Sequence, residues 1–209
     1  MNLEIFITIF IGMIAMINPI STVPTWMTLT HSYDDIHLKE TLRKTMVNAI
    51  CLLVAFVLLG KVILVFFGLS IPAIKLAGAL MIVLAALKLE VSKPIRGSKL
   101  AKKAEENHRE DISFSPVAMP LIIGPGTIAM IITYLEEYGS IFETIWTTLY
   151  LILSGIIILG LTWILLAQSK RIMNYLGYGG ITAMSRISGF ILLCIGAQFL
   201  ISAIKDLLG

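Results

Sequence analysis

Long apolar runs separated by short polar segments dominate the chain. Six such runs can be delimited, and they cover residues 3–27, 46–67, 71–87, 114–134, 144–167 and 184–204. A helix that crosses the hydrocarbon core of a bilayer needs about 20 predominantly apolar residues. Each run therefore predicts one transmembrane helix, and the chain is predicted to be an all-α membrane protein with six transmembrane helices.

The composition agrees with this prediction. Hydrophobic residues make up 57% of the 209 positions and charged residues only 14%, whereas a soluble domain has about 25% charged residues. These values exclude a soluble enzyme, a nucleic-acid-binding domain and a disordered protein, so the expected partner is the lipid bilayer and not a nucleic acid. The two cysteines, Cys51 and Cys194, match no zinc or redox spacing, and we expect no metal or cofactor.

One long polar segment, residues 88–112, divides the chain in two. It is rich in lysine and glutamate, and a charge run of mixed sign is typical of a solvated linker. Three apolar runs precede it and three follow it. The sequence therefore predicts a first three-helix unit in residues 1–87 and a second in residues 113–209, joined by a polar linker.

The basic residues between the runs are distributed unevenly. Thirteen of the sixteen lie in or next to the segments that follow the first, third and fifth runs, and only Lys61, Lys75 and Lys205 lie on the opposite side. Short loops rich in lysine and arginine stay on the cytoplasmic side of a membrane. We therefore expect a multi-pass protein of the cell (inner) membrane, with the linker in the cytoplasm and both termini outside.

The two halves also carry a faint internal repeat. Because each half has an odd number of spans, the second half must enter the membrane in the opposite orientation to the first. Inverted repeats of this kind are found in many secondary transporters, which bind their substrate near the midplane where the repeats meet. The aligned pairs are Gly68 with Gly179, Gly78 with Gly189, Lys75 with Arg186, and Asn18-Pro19 with Gly124-Pro125.

Prolines are concentrated in two of the six runs. A proline inside a helix removes a backbone hydrogen bond and costs about 3 kcal/mol, and in hydrocarbon the freed carbonyl has no water to bond to. Such positions persist where they are buried in protein or line a wet cavity. We therefore predict that helices 1 and 4 are interrupted, each with an unwound middle. The prolines concerned are Pro19, Pro24, Pro116, Pro120 and Pro125.

An unwound segment offers main-chain groups to a ligand. The half-helix that follows it presents free amide groups and a positive dipole end, which suit a carboxylate, and the carbonyls of the preceding half-helix suit an ammonium group. Glycine in such a segment lets a ligand approach closely. The alternative is a pair of kinks that only shape helix packing. The candidate substrate-binding residues are Asn18, Pro19, Ser21, Thr22, Gly124, Pro125, Gly126 and Thr127.

Three polar side chains within the apolar runs are candidate gating residues or charge partners, namely Lys75, Arg186 and Gln198. Charged groups inside a membrane are costly and usually functional. The alternative for Lys75 and Arg186 is that their long side chains reach the headgroups. Gln198 lies near the middle of the last run, where it either lines the pathway or bonds across helices.

Several of these motifs resemble the signature of the MarC family of bacterial and archaeal membrane proteins. The resemblance covers nearly the whole chain, and it implies transport of small neutral amino acids such as glycine and alanine, as described for a related archaeal member. It places Asn18, Pro19 and residues 124–127 in shared helix-break motifs, whereas Ser21 stands where many members have glycine. The motifs are Pro-Val-Ala-Met-Pro at residues 116–120, Gly-Pro-Gly-Thr-Ile-Ala-Met-Ile-Ile at residues 124–132, Gly-Leu-Ser-Ile-Pro at residues 68–72, and residues 179–190.

The favoured function is a secondary transporter of small zwitterions that works by alternating access around two broken helices. It would need a small-molecule substrate and a coupling proton or sodium ion. An intramembrane enzyme would need a nucleophile–base pair or metal ligands at membrane depth, and no His, Asp or Glu lies near the centre of a run. A passive channel or a scaffold without transport activity is the alternative. The substrate, the direction of transport and the oligomeric state stay open.

Overall fold

The computed structural model describes residues 3–91, 111–137 and 141–208, and helices account for almost all of them, with no β-strand in these three segments. Of the polar linker predicted at 88–112, residues 92–110 lie outside the described residues. The helices are α1 (Leu3–Ile17), α2 (Pro19–Leu29), α3 (Asp35–Phe67), α4 (Ile71–Val91), α5 (Ser113–Ile122), α6 (Pro125–Glu137), α7 (Ile141–Ala167) and α8 (Ser169–Leu208).

Four helical stretches in the described segments are long and apolar enough to cross a membrane: Leu3–Leu29, Asp35–Phe67, Glu143–Ala167 and Thr182–Leu208. The bent pair of α5 and α6 makes a fifth if its two halves form one span. The apolar part of α4, Ile71–Leu87, is shorter. The described residues are therefore those of an all-helical membrane protein with four or five helices long and apolar enough to span a membrane, and the six-helix inverted repeat stays a prediction.

Small residues allow the helices to approach one another closely. α4 packs between α8 and α6. A Cβ at Gly78 of α4 would overlap the Cβ of Ala129 in α6, and one at Gly196 of α8 would lie 2.8 Å from Cγ2 of Val83 in α4. Contacts of this kind are typical of helix packing in membranes, where small residues bring backbones together.

The remaining helices form the main core, and apolar side chains also cover the outside. Ile9, Met13, Leu53 and Met130 are fully or almost fully buried between α1, α3, α6 and α7. Large apolar side chains on the outer surface are exposed, which suits a molecule whose outer surface is solvated by lipid. Examples are Leu58, Val62, Leu153, Ile157 and Ile187.

Four ion pairs in the described segments connect different helices or their flanking residues near the ends of the bundle. Each joins groups that are distant in sequence. Exposed ion pairs of this kind contribute only about 0–1 kcal/mol to folding stability. They are Lys61–Glu136 (3.6 Å), Lys75–Asp206 (2.7 Å), Lys44–Asp111 (3.7 Å) and Lys170–Asp35 (3.0 Å).

Candidate functional site

The first interruption of helical geometry lies at Asn18. Its backbone is left-handed, with φ 45° and ψ 66°, a conformation that asparagine tolerates better than most residues. Pro19 then takes the first position of α2, where its missing N–H costs no helix hydrogen bond. The Ser21 amide donates to the Asn18 side chain (3.4 Å), and the Thr22 hydroxyl donates to the Asn18 carbonyl (3.2 Å). Asn18 therefore ends α1 and caps α2.

The second interruption is spread over α5 and the two residues after it. Ser115 and Met119 have extended backbone angles because each precedes a proline, and proline disfavours the helical conformation in the residue before it. The chain then leaves helical geometry at Ile123 and Gly124, and α6 starts at Pro125. The axes of α5 and α6 differ by 56°.

The two interruptions lie at the same level of the structure. A Cβ at Gly12 of α1 would overlap the side chain of Met130 in α6, and one at Gly126 would lie 3.4 Å from Sδ of Met16. Gly12 thus pairs with Met130, and Met16, four residues later in α1, pairs with Gly126, four residues earlier in α6. The two helices therefore run antiparallel. Asn18 lies two residues after Met16, and Gly124 lies two residues before Gly126. The carboxyl end of α1 therefore meets the amino end of α6 at the two interruptions.

The glycines of the second interruption serve close packing. A Cβ at Gly124 would lie 2.8 Å from the carbonyl oxygen of Pro120, and one at Gly126 would lie 2.7 Å from Cγ1 of Ile82 in α4. The sequence suggested that these glycines leave space for a ligand. In the structure, neighbouring protein atoms fill the space that their missing side chains leave.

Two buried hydroxyl groups lie in the first turns of α2 and α6. Ser21 is 9% exposed and Thr127 is 1% exposed. Within the described part of the chain, these are two of eight buried side-chain polar groups that have no hydrogen-bond partner. Ser21 follows Asn18 by three residues, and Thr127 follows Gly124 by three residues. The two groups therefore occupy equivalent positions in the repeat predicted from the sequence.

A cavity of about 670 Å³ lies beside the first interruption. Residues of α1 and α2 form one wall, and residues of α7 and α8 form the other. Asn18 and Ser188 are the two polar residues of its lining, which is otherwise apolar. Of the predicted site residues, Asn18 and Pro19 line this cavity, whereas Ser21, Thr22 and residues 124–127 do not. The walls from α7 and α8 were not predicted, because their side chains have the same apolar character as residues that face lipid.

The candidate gating residues lie apart from this cavity. Lys75 has a side chain that is only 14% exposed, and its ammonium group contacts the Asp206 carboxylate (2.7 Å) and the Ser202 hydroxyl (3.3 Å), which links α4 to α8. Arg186 and Gln198 are exposed on the surface of α8. The structure therefore brings Lys75 together with Asp206 and not with Arg186.

A polar network closes the start of α5. The Asn48 side chain of α3 donates to the Ser113 hydroxyl (3.2 Å), and the Ser113 amide donates to the Asp111 carboxylate (3.0 Å). Hydrogen bonds from Ser113 and the nearby Lys44 ammonium hold the pKa of Asp111 below its ordinary value. This network was not predicted from the sequence, because Asp111 lies in a segment interpreted as a solvated linker.

Comparison with known proteins gives a consistent result. Residues 3–208 match the family described as MarC family integral membrane protein. The chain is similar to a UPF0056 membrane protein of Methanocaldococcus jannaschii, with 32% identity over 210 residues and 100% of both chains covered. It is also similar to the UPF0056 inner membrane protein MarC of Escherichia coli K12, with 30% identity over 216 residues and 99% and 98% of the two chains covered. No solved structure matches it.

Proposed function

The chain belongs to the MarC family of integral membrane proteins. We propose, from the geometry of its two helix interruptions, that it is a secondary transporter of small neutral zwitterions. Amino acids such as glycine and alanine are the substrates to test first. The proposed site is the level at which the two helix interruptions meet, and the proposed mechanism is alternating access around them. In this proposal the protein moves its substrate without chemical change, coupled to a proton or a sodium ion.

The observation that carries the proposal is the pair of buried hydroxyls on Ser21 and Thr127. An unsatisfied buried polar group costs about 1–3 kcal/mol, so two of them at matching positions suggest a ligand that bonds to them. Both lie in the first turn of a half-helix, where the helix dipole is positive, although the Ser21 amide already donates to the Asn18 side chain. A carboxylate is the ligand group that fits this environment.

The meeting of α1 and α6 supplies the complementary charge for an ammonium group. The last turn of α1 lies beside the first turn of α6, since Sδ of Met16 is 3.4 Å from a Cβ position at Gly126. The negative end of one helix dipole is therefore adjacent to the positive end of another. A zwitterion of a few ångströms in length has one charged group for each, which explains how such a site works without a charged side chain.

The inverted repeat and the membrane orientation complete the proposal. With both termini outside and the linker in the cytoplasm, α2 and the start of α8 lie in the cytoplasmic half of the membrane. The cavity then lies on both sides of the interruption, since its lining includes Ile172 near the cytoplasmic end of α8 and Ile11 in α1. Asn18 forms part of its wall, so the cavity reaches the proposed binding level, as alternating access requires.

Counterflow in proteoliposomes tests the proposal. Purified protein in vesicles of phosphatidylethanolamine and phosphatidylglycerol, preloaded with unlabelled alanine, should accumulate labelled alanine in a saturable manner. A passive channel would give flux without saturation or counterflow, and a scaffold would give no flux above protein-free vesicles. Either result would contradict the proposal.

A matched pair of variants tests the site. Thr127→Val removes an unpartnered buried hydroxyl, and one lost hydrogen bond to a charged group, worth about 1.5–3 kcal/mol, should raise the half-saturating alanine concentration by roughly tenfold or more. Thr162→Val is the control, because the Thr162 hydroxyl is also buried but donates to the Ile158 carbonyl of its own helix (2.8 Å). Equal effects of the two substitutions would remove Thr127 from the site.

A further inference from the structure

We infer that the apolar cavity beside Asn18 receives the side chain of the substrate, so that the transporter prefers amino acids with aliphatic side chains, such as valine and leucine, over polar ones of the same shape. This inference rests on the proposed function and adds a substrate class to it. Three features of the cavity support it: its size, its apolar walls and its connection to the helix interruption at Asn18.

The cavity is larger than a transporter of glycine or alanine alone requires. Its volume of about 670 Å³ corresponds to on the order of 20 water molecules at roughly 30 Å³ each. It also lies within the range of about 300–1,000 Å³ that is typical of small-molecule sites. A side chain of four carbon atoms therefore fits in it.

The walls of the cavity favour an aliphatic side chain. Apart from Asn18 and Ser188, the lining consists of aliphatic side chains, methionine and proline, including Ile14, Val23 and Leu165. Burying a valine or leucine side chain against such walls favours binding by about tenfold or more relative to leaving it in water. A polar side chain of equal shape would lose its hydrogen bonds to water and find few partners in the cavity.

Asn18 connects the cavity to the polar groups of the interruption. It lines the cavity, and it also bonds to Ser21 and Thr22 on the part of α2 that does not line it. Ile20 and Val23 line the cavity from the opposite part of the same helix. A zwitterion bound at the level of Asn18 would therefore have polar partners on one side and an apolar space on the other.

The competing occupant is an acyl chain from the bilayer. Ile11 and Ile191 of the lining are about half exposed, at 58% and 49%, so the cavity has an opening on the side of the bundle. The substrate is the favoured occupant because Asn18, the polar residue at the helix interruption, forms part of the cavity wall, and an acyl chain would offer this polar group no hydrogen bond. The two occupants predict opposite results in a competition assay.

Competition between amino acids of matched shape tests the inference. Counterflow of labelled glycine is measured in the same vesicles with valine or threonine, and with leucine or asparagine, as competitors. Valine and leucine should inhibit at concentrations at least about tenfold lower than their polar counterparts. If glycine is transported but the polar and aliphatic competitors inhibit equally, the inference is wrong and an acyl chain is the better occupant. If no amino acid shows counterflow, the proposed function itself fails.

Substitutions that fill the cavity provide the second arm. Ala15→Leu adds volume to the wall from α1 and should reduce the preference for leucine over asparagine by about tenfold, whereas Ala197→Leu, on an exposed part of α8 outside the cavity, should not change it. If Ala15→Leu does not elute as a monodisperse protein, Ile191→Phe narrows the same cavity from α8. An unchanged preference in a well-folded cavity variant would overturn the inference.

Discussion

The contact between Gly78 and Ala129 provides a direct test of how α4 and α6 pack. A Cβ at position 78 would overlap the Cβ of Ala129, and it would lie 3.8 Å from the Ala129 Cα. Gly78→Ala should therefore destabilise the protein through overpacking, which costs about 1–3 kcal/mol, partly offset by the higher helix propensity of alanine, about 1 kcal/mol.

Removing the opposing methyl group should relieve the overlap. Ala129→Gly alone loses about 1 kcal/mol of helix propensity. In the double variant, the new methyl group at position 78 contacts only the Cα of residue 129, at an ordinary distance of 3.8 Å. The two propensity changes then cancel. The double variant should therefore be close to wild type, with a coupling energy of about 1–3 kcal/mol between the two substitutions.

Unfolding in mixed micelles of a mild detergent and dodecyl sulfate, followed by tryptophan fluorescence, gives the required free energies. Gly160→Ala in α7 is the control, because among the described residues, apart from its chain neighbours and the nearby backbone of its own helix, no atom lies within 4 Å of a Cβ at that position. It should leave the stability within about 1 kcal/mol of wild type. The reasoning is refuted if Gly78→Ala is as stable as Gly160→Ala, or if the two substitutions at the contact are simply additive.

Three further predictions concern stability in the same assay. Asn18→Ala should be less stable than Asn18→Gly by about 1 kcal/mol, because alanine is strained at positive φ; equal midpoints would contradict this. Lys75→Met and Asp206→Asn should show a favourable coupling of up to about 1 kcal/mol, whereas additive effects would mean that the ion pair contributes nothing. Because the pKa of Asp111 is lowered from its ordinary 3.8, its contribution is present above that pH and is lost as the pH falls through the lower, folded-state value. Wild type should therefore lose stability below about pH 4 more steeply than Asp111→Asn, and parallel pH profiles would count against the network.

The sequence was most informative where a local rule dictates the backbone. The length of the apolar runs predicted an all-helical membrane protein, and this is confirmed, although the described residues give four or five long apolar spans and not six. The extended geometry of Ser115 and Met119 follows from the prolines after them. Such rules act between neighbouring residues, so they can be applied without knowledge of the fold.

The sequence was least informative about which face of a helix points inward. In a membrane both the core and the lipid-facing surface are apolar, so the pattern does not show that Gln198 and Arg186 lie on exposed parts of α8. The cavity was not predicted for the same reason, since its walls come from helices that are distant in sequence. The partner of Lys75 was also missed, because Asp206 lies 131 residues further along the chain.

The short apolar part of α4 has a consequence for the surrounding lipid. Ile71–Leu87 rises about 25 Å at 1.5 Å per residue, whereas the hydrocarbon layer of a typical bilayer is about 30 Å thick. Leu80, Met81, Leu84 and Leu87 are exposed on this helix, so lipid must adapt to it directly. The bilayer should therefore thin locally on the α4 side, and reconstitution should be most favourable in lipids with short acyl chains.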